Sequence, residues 1–226
     1  MFQTAPYGVE YIETRLESLL AAGAVAEVIA QHAGSVDGVL VAAFGDPGMP
    51  ALKELAQVPV IGITEAALCA ASLQGHHFSI IAISDRITAW YRECVEAFGL
   101  GGRLASIRSL KDALGGIGAV QDDFGPALVA LAQQAVRDDG ADVVILAGAP
   151  LAGLARTVAG QIPVPVVDGI SAGVRMAEAV IGLASGPHLA GAFAPPPLKA
   201  RAGLSPALDA ALTALQNSSV SPERGA

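Results

Sequence analysis

The chain is expected to form an α/β fold of two pseudo-symmetric lobes, each a parallel sheet flanked by helices, with an active-site cleft between them. Three observations predict it. The first is an internal echo. Val39-Leu40-Val41-Ala42-Ala43-Phe44-Gly45-Asp46-Pro47-Gly48 leads to Val58-Pro59-Val60-Ile61-Gly62-Ile63-Thr64-Glu65. About a hundred residues later, Val143-Val144-Ile145-Leu146-Ala147-Gly148-Ala149-Pro150 leads to Val164-Pro165-Val166-Val167-Asp168-Gly169-Ile170-Ser171. Each copy is a buried-type strand, a Gly/Pro turn, a short helix and a second strand opened by Val-Pro-Val. The second observation is the alternation of short β-branched runs with helical periods, the pattern of parallel sheets with right-handed crossovers. The third is composition: 53% hydrophobic and 15% charged residues over 226 positions provide ample core, and only 4% aromatics favour close helix-on-sheet packing.

Taken in order, Val9 to Gln31 reads as a helix, with Ile12, Leu16, Leu19, Leu20, Val25, Val28 and Ile29 at helical spacing. Strands at Val39–Phe44 and Val60–Ile63 flank a short helix at Pro50–Ala56. A helix at Glu65–Leu73 then leads to a Gly75-His76-His77 hinge. The second unit reads as strand Phe78–Ser84, helix Arg86–Phe98, strand Leu104–Ser109, a polar Gly-containing loop, helix Asp123–Asp138 and strand Asp142–Ala147. A strand at Val164–Asp168 and a helix at Ser171–Leu183 follow. Ser185–Ala202 is a Pro/Gly-rich tail, Leu204–Gln216 a docking helix, and residues 217–226 are expected to be disordered. Residues 1–74 with 169–226 form lobe A, and 75–168 form lobe B. Overlaying the halves leaves lobe A without an opening strand and helix, since only Phe2-Gln3-Thr4 precedes its first helix.

The formal net charge of −8 argues against nucleic acid and anionic membrane surfaces as partners. No apolar run reaches the ~20 residues of a spanning helix, and no secretory signal opens the sequence, so the chain reads as cytoplasmic. Cys69 and Cys94 fall in helical patterns away from the strand-end loops and read as buried packing residues. His32, His76, His77 and His188 have no ligand spacing, and no metal is assigned. Leu16, Leu20 and Val28 form an apolar stripe compatible with a homo-oligomer or with burial in the monomer.

Strand-end loops are where α/β folds place chemistry. The backbone amides of Phe44, Gly45, Ala149 and Leu151, with Pro150 shaping the second turn, suit a carboxylate or enolate oxygen. The bland alternative is that Gly and Pro simply make sharp turns. Asp46 is the acid/base candidate, with helix capping as its alternative. Thr64 and Glu65 stand at one strand end, Ser84, Asp85 and Arg86 at another, and Asp168 and Ser171 at a third. Each can contact an anion or cap the helix that follows. Tyr7, Trp90 and Tyr91 can edge the cleft or belong to the core.

The motifs Ala42-Ala43-Phe44-Gly45-Asp46-Pro47-Gly48, Gly62-Ile63-Thr64-Glu65-Ala66-Ala67, Leu146-Ala147-Gly148-Ala149-Pro150-Leu151-Ala152 and Pro165-Val166-Val167-Asp168-Gly169-Ile170-Ser171-Ala172 resemble the Asp/Glu/hydantoin racemase superfamily, hydantoin and allantoin racemases above all. The resemblance spans Phe2 to about Leu183. It implies a cofactor-independent enzyme in which one cysteine from each lobe flanks the substrate carbon, one thiolate removing the α-proton and the other thiol delivering one. By the same resemblance the two cysteine positions fall on Ala43 and Gly148, neither of which accepts a proton. The expected substrate is an amino acid, a hydantoin or a related small carboxylate or cyclic amide, acted on through an enolate-like intermediate. Decarboxylation or another isomerisation on the same fold, and an inactive small-ligand-binding protein, are the alternatives.

Overall fold

The computed structural model describes residues 1–111, 117–183, 186, 188–197 and 199–219. All its strands run parallel, in two sheets. The first pairs β1 (Val39–Val41) with β2 (Val60–Gly62). The second has the order β4-β3-β5-β6, from β3 (Phe78–Ala82), β4 (Leu104–Ser109), β5 (Val143–Leu146) and β6 (Val166–Asp168). The inner strands β3 and β5 are buried at every residue, as near-continuous Ile/Val runs covered on both faces must be. The echo is thus structural: β1 and β2 pair in parallel as β5 and β6 do. Where β5 also pairs with β3, the other edge of β1 has no strand beside it among the described residues.

The helices are α1 (Arg15–Gln31), α2 (Met49–Leu55), α3 (Ile63–Ser72), α4 (Thr88–Ala97), α5 (Val120–Asp139), α6 (Leu154–Thr157), α7 (Gly169–Gly182) and α8 (Pro206–Ser219). Several boundaries differ from those predicted. The first helix starts at Arg15, not Val9, because Thr14 and Glu17 make a reciprocal capping box: Glu17 N–H donates to Thr14 Oγ1 at 3.2 Å and Thr14 N–H to Glu17 Oε2 at 2.9 Å. Residues 1–13 are free of helix, which lets Tyr11 and Ile12 reach the core. Helix α4 begins two residues later than expected and α5 three residues earlier, with Pro126 inside it. Helix α7 begins at Gly169 because Asp168 is its N-cap, accepting from Ser171 N–H at 2.8 Å. The tail helix α8 packs on α1, where Ser205 Oγ donates to Glu27 Oε2 at 2.6 Å. Of the loop before α5, residues 112–116 lie outside the described residues, as do 184–185, 187 and 198 of the Pro/Gly tail and 220–226 of the end expected to be disordered.

The two sheets share one buried cluster, and each half has a further one of its own. Phe44, Ile63 and Leu68 from the first unit join Ile80, Trp90, Tyr91, Ile145 and Val167 from the second in a single buried cluster. The helices that follow the two equivalent strands, α3 and α7, pack together at close range. A Cβ on Gly169 would stand 3.1 Å from the Ile63 carbonyl oxygen, and one on Gly173 would stand 2.7 Å from Leu40 Cδ1. Leu16 and Leu20 are exposed rather than buried, 67% and 45%, and Val28 is half-buried. No helix among the described residues is long and apolar enough to cross a membrane.

Candidate active site

The first strand-end loop, Ala42 to Gly48, is held by three contacts from α4. Gly45, at φ +104°, carries no side chain because the Trp90 ring lies where one would go: a Cβ would meet Trp90 Cη2 and Cζ2 at 2.3 Å. Phe44 packs on Tyr91 with ring centroids 4.8 Å apart, and the Cys94 thiol reaches the Gly45 carbonyl oxygen at 3.6 Å. Helix α4 of the second unit therefore seats the loop of the first. Trp90 and Tyr91 belong to the core, with Tyr7 exposed and lining the groove beside β1.

The expectation for the cysteines is corrected. Cys69 is exposed on α3, and Cys94 is half-buried against the loop itself, not away from it. Burial, with the Asp46 and Glu93 charges adding, pushes the Cys94 thiol up to about 12, so it is a neutral thiol at physiological pH.

Asp46 is buried, at φ +47°, and its carboxylate points to the start of α3. Thr64 N–H donates to Oδ1 at 2.9 Å and Glu65 N–H to Oδ2 at 2.8 Å. It caps α3, 18 residues on, rather than the adjacent α2. Burial pushes its carboxyl up to about 6, while the two N–H donors pull it back. Thr64, fully buried, turns its hydroxyl the other way and accepts from Gly45 N–H at 2.6 Å. Glu65 closes the network, accepting from Gly62 N–H at 3.0 Å and pairing with Lys53 Nζ at 2.7 Å.

This bonding decides which amides are free. The Gly45 amide, expected to receive a substrate oxygen, is engaged by Thr64, and Asp46 N–H bonds the Ala43 carbonyl at 3.1 Å. In the second loop Ala149–Leu151 forms a 3₁₀ turn in which Leu151 N–H bonds the Gly148 carbonyl at 3.1 Å, so that amide is engaged too. The amides of Phe44 and Ala149 have no acceptor among the described residues. Ala43 is half-buried and lines a groove of about 850 Å³ with Tyr7, Ile12, Val25, Val41 and Ile181; Gly148 is not in its lining. Gly148 has φ +122° and ψ 142°, a conformation open essentially to glycine alone, with 3.5 Å or more of clearance around a notional Cβ. Pro150 fixes the turn and Gln121 Nε2 donates to its carbonyl at 2.7 Å.

At the end of β3, Ser84 Oγ donates to Glu13 Oε1 and accepts from Arg86 N–H at 3.3 Å. Asp85 turns away to Lys111 Nζ and Ser109 Oγ, which hold its carboxyl below the usual range. The Arg86 side chain is exposed and near Glu17. Asp168 and Ser171 are joined in the cap of α7. His76 and His77 sit at the opposite end of β3, where their N–H groups donate to Asp142 Oδ2. No three His, Cys, Asp or Glu side chains among the described residues gather as a metal site. A helix running from Val9, as the sequence predicts, hides Glu13 and Tyr11 in its interior. The Thr14-x-x-Glu17 capping signature was the signal that would have freed them.

Two parallel sheets flanked by helices and tied together by a shared buried cluster define the class, a two-lobed α/β protein. Residues 1–177 match the Asp/Glu/Hydantoin racemase family, and the chain belongs to that family. It is 36% identical over 181 residues to a hydantoin racemase of Paenarthrobacter aurescens, covering 78% of this chain and 75% of that one. Among solved structures, an allantoin racemase from Pseudomonas fluorescens superposes with a TM-score of 0.83 at 33% identity, over 90% of this chain and 86% of the other. Arylmalonate decarboxylase shares the fold, with a TM-score of 0.56 at 20% identity over 71% and 77% of the two chains.

Proposed function

We propose that the protein transfers a proton at the acidic α-carbon of a hydantoin, an allantoin-like cyclic amide or a related small carboxylate, without a cofactor and through an enolate. The halves of the site are lobe A, residues 1–74 with 169–226, and lobe B, residues 75–168. The observation that supports the reading is the pair of unengaged amides, Phe44 and Ala149, one at each strand-end loop of a racemase-family chain. Preorganised N–H donors aimed at a developing oxyanion supply most of the stabilisation an enolate needs. With Ala43 and Gly148 standing where the resemblance puts the family thiols, the proton moves by another group. Asp46 is a positioning residue in this reading: with both oxygens bonded at the start of α3, it fixes the loop that carries Phe44.

The test is hydrogen–deuterium exchange at the α-carbon of enantiopure hydantoins, allantoin and amino acids in D2O, followed by proton NMR against an enzyme-free control. Enzyme-dependent loss of the α-proton signal is the expected result. Ligand-induced thermal stabilisation with no exchange would instead identify a binding protein, and carbon dioxide release from substituted malonates a decarboxylase.

A further inference from the structure

The residues just before α1 lie on the side of the first strand-end loop, where Ala22 of the helix stands 2.5 Å from the place of a Cβ on Gly48 and Ile12 shares a groove with Ala42 and Pro47. Those residues are Tyr11, Ile12 and Glu13. Ile12 lines the same groove as Ala43. Glu13 reaches the second sheet, where its Oε1 accepts from Ser84 Oγ. The register of β3 on β5 pairs Ile81 with Leu146, which carries Ser84 to the level of Ala149, at the Gly148 turn. A Cβ on Gly148 would stand 3.8 Å from Ile83, the residue before Ser84. Glu13 thus follows a residue of the Ala43 groove along the chain and bonds the end of β3 on the side of the Gly148 turn.

Its bonding is that of an unemployed base. Arg86 N–H donates to Ser84 Oγ and directs the serine proton to the carboxylate, fixing Oε1. Oε2 has no hydrogen-bond partner, and no Lys, Arg or His pairs with Glu13 among the described residues. The Tyr11 hydroxyl is buried beside Ser84 and Glu13 and makes no hydrogen bond of good geometry among the described residues. Burial, with the Glu13 charge adding, raises its pKa far above the usual range, so it stays a neutral donor. A buried donor without an acceptor is costly, and one aimed at a ligand oxygen is a standard reason to keep it.

We propose that Glu13 is the proton-transfer group of this site, with Ser84 positioning its carboxylate and the Tyr11 hydroxyl donating to the substrate's carbonyl oxygen. This rests on the α-proton chemistry proposed above. The α-carbon–hydrogen bond breaks, the proton forms an O–H bond with Glu13 Oε2, and the electron pair moves into the carbonyl to give the enolate. The reverse step returns a proton, or a deuteron after exchange with solvent, to the same face. One base on one face therefore exchanges the α-proton faster than it inverts the centre.

The experiment follows enantiopure 5-benzylhydantoin in D2O by proton NMR and chiral chromatography, with wild type, Glu13→Gln, Glu13→Asp, Ser84→Ala and an Arg15→Ala control. Wild type is expected to incorporate deuterium faster than it racemises. Glu13→Gln should lower the exchange rate roughly 100-fold or more, the usual share of a general base. Ser84→Ala should have a smaller effect, Glu13→Asp should recover part of the loss, and Arg15→Ala, which removes only the exposed pair with Glu93, should match wild type. Wild-type exchange that persists in Glu13→Gln overturns the assignment alone. A Ser84→Ala loss as large as that of Glu13→Gln, with no rescue by Glu13→Asp, reduces Glu13 to a structural bridge and also overturns it. No exchange by wild type overturns both this assignment and the reading beneath it.

Discussion

Asp46 occupies, from a neighbouring loop, the place that a side chain on Gly62 would fill: a Cβ on Gly62 would stand 2.2 Å from the Asp46 Cγ and 2.3 Å from each carboxylate oxygen. In the second copy of the motif the corresponding N-cap is Asp168, whose own carboxylate accepts from Ser171 N–H. The two copies place one carboxylate at equivalent helix starts, delivered in one case from the cap residue and in the other from the preceding loop.

Moving the carboxylate should therefore be tolerated where deleting it is not. Asp46→Ala removes both acceptors from buried N–H groups, and Gly62→Ala drives a methyl into the carboxylate. Each is expected to lower unfolding free energy by about 1–3 kcal/mol in urea titrations. The double change Asp46→Gly with Gly62→Asp should recover most of it. Gly62 already has the extended backbone of Asp168, φ −94° against −104°, and a glycine at 46 relieves the positive φ.

Asp46 also sets a pH dependence. Its folded-state carboxyl is raised from 3.8 to about 6, chiefly by burial. The folded chain then binds more protons than the unfolded one between about pH 4 and 6, and stability contributed by this group falls as pH rises through that window. Asp46→Asn is expected to flatten it. Its unfolding free energy relative to wild type should improve steadily from pH 4 to pH 6.5, and a difference that stays constant across the range would contradict the assignment.

Thiols introduced at Ala43 and Gly148, where the resemblance places the family cysteines, test the two loops separately. Gly148→Cys puts a side chain on a backbone at φ +122° and is expected to cost about 1–3 kcal/mol of stability, even though nothing lies closer than 3.5 Å to its Cβ. Ala43→Cys, half-buried beside the groove, should cost less than about 1 kcal/mol. The pair together is expected to add racemisation of a hydantoin, measured by chiral chromatography. Inversion no faster than in wild type would show that more than thiols separates this chain from its racemase relatives.

Gly45 and Trp90 should be coupled. Gly45→Ala places a methyl 2.3 Å from the indole at a left-handed φ, and is expected to lower unfolding free energy by about 2–4 kcal/mol. Combined with Trp90→Leu, which opens room at that point, the loss should be clearly less than the sum of the single changes.

The repeat made the architecture legible: two Val-rich strands, each followed by a Gly/Pro turn and a Val-Pro-Val strand, gave parallel pairing and the position of the strand-end loops. Local grammar failed where a partner lay far along the chain. Nothing near Asp46 reveals that it caps a helix beginning at Ile63, and the Glu13–Ser84 contact joins residues 71 apart. The placement of Cys94 against Gly45 depends on how α4 packs on a loop 49 residues away, which helical periodicity cannot report. One clue was present. Gly62 stands where Asp168 stands in the second motif, and a helix start without its own capping side chain must find an acceptor elsewhere.

The buried cluster that takes Phe44 and Ile63 from one half and Trp90, Ile145 and Val167 from the other ties together two halves that each also hold a smaller apolar cluster of their own, Val41, Leu52 and Val60 in the first and Ile81, Leu128 and Leu146 in the second. A fragment cut at the Gly75 hinge would keep its own cluster but expose its share of the common one to water, leaving an apolar face prone to aggregate. The same cluster opposes relative motion of the halves, since any hinge between them would have to part Phe44 from Tyr91.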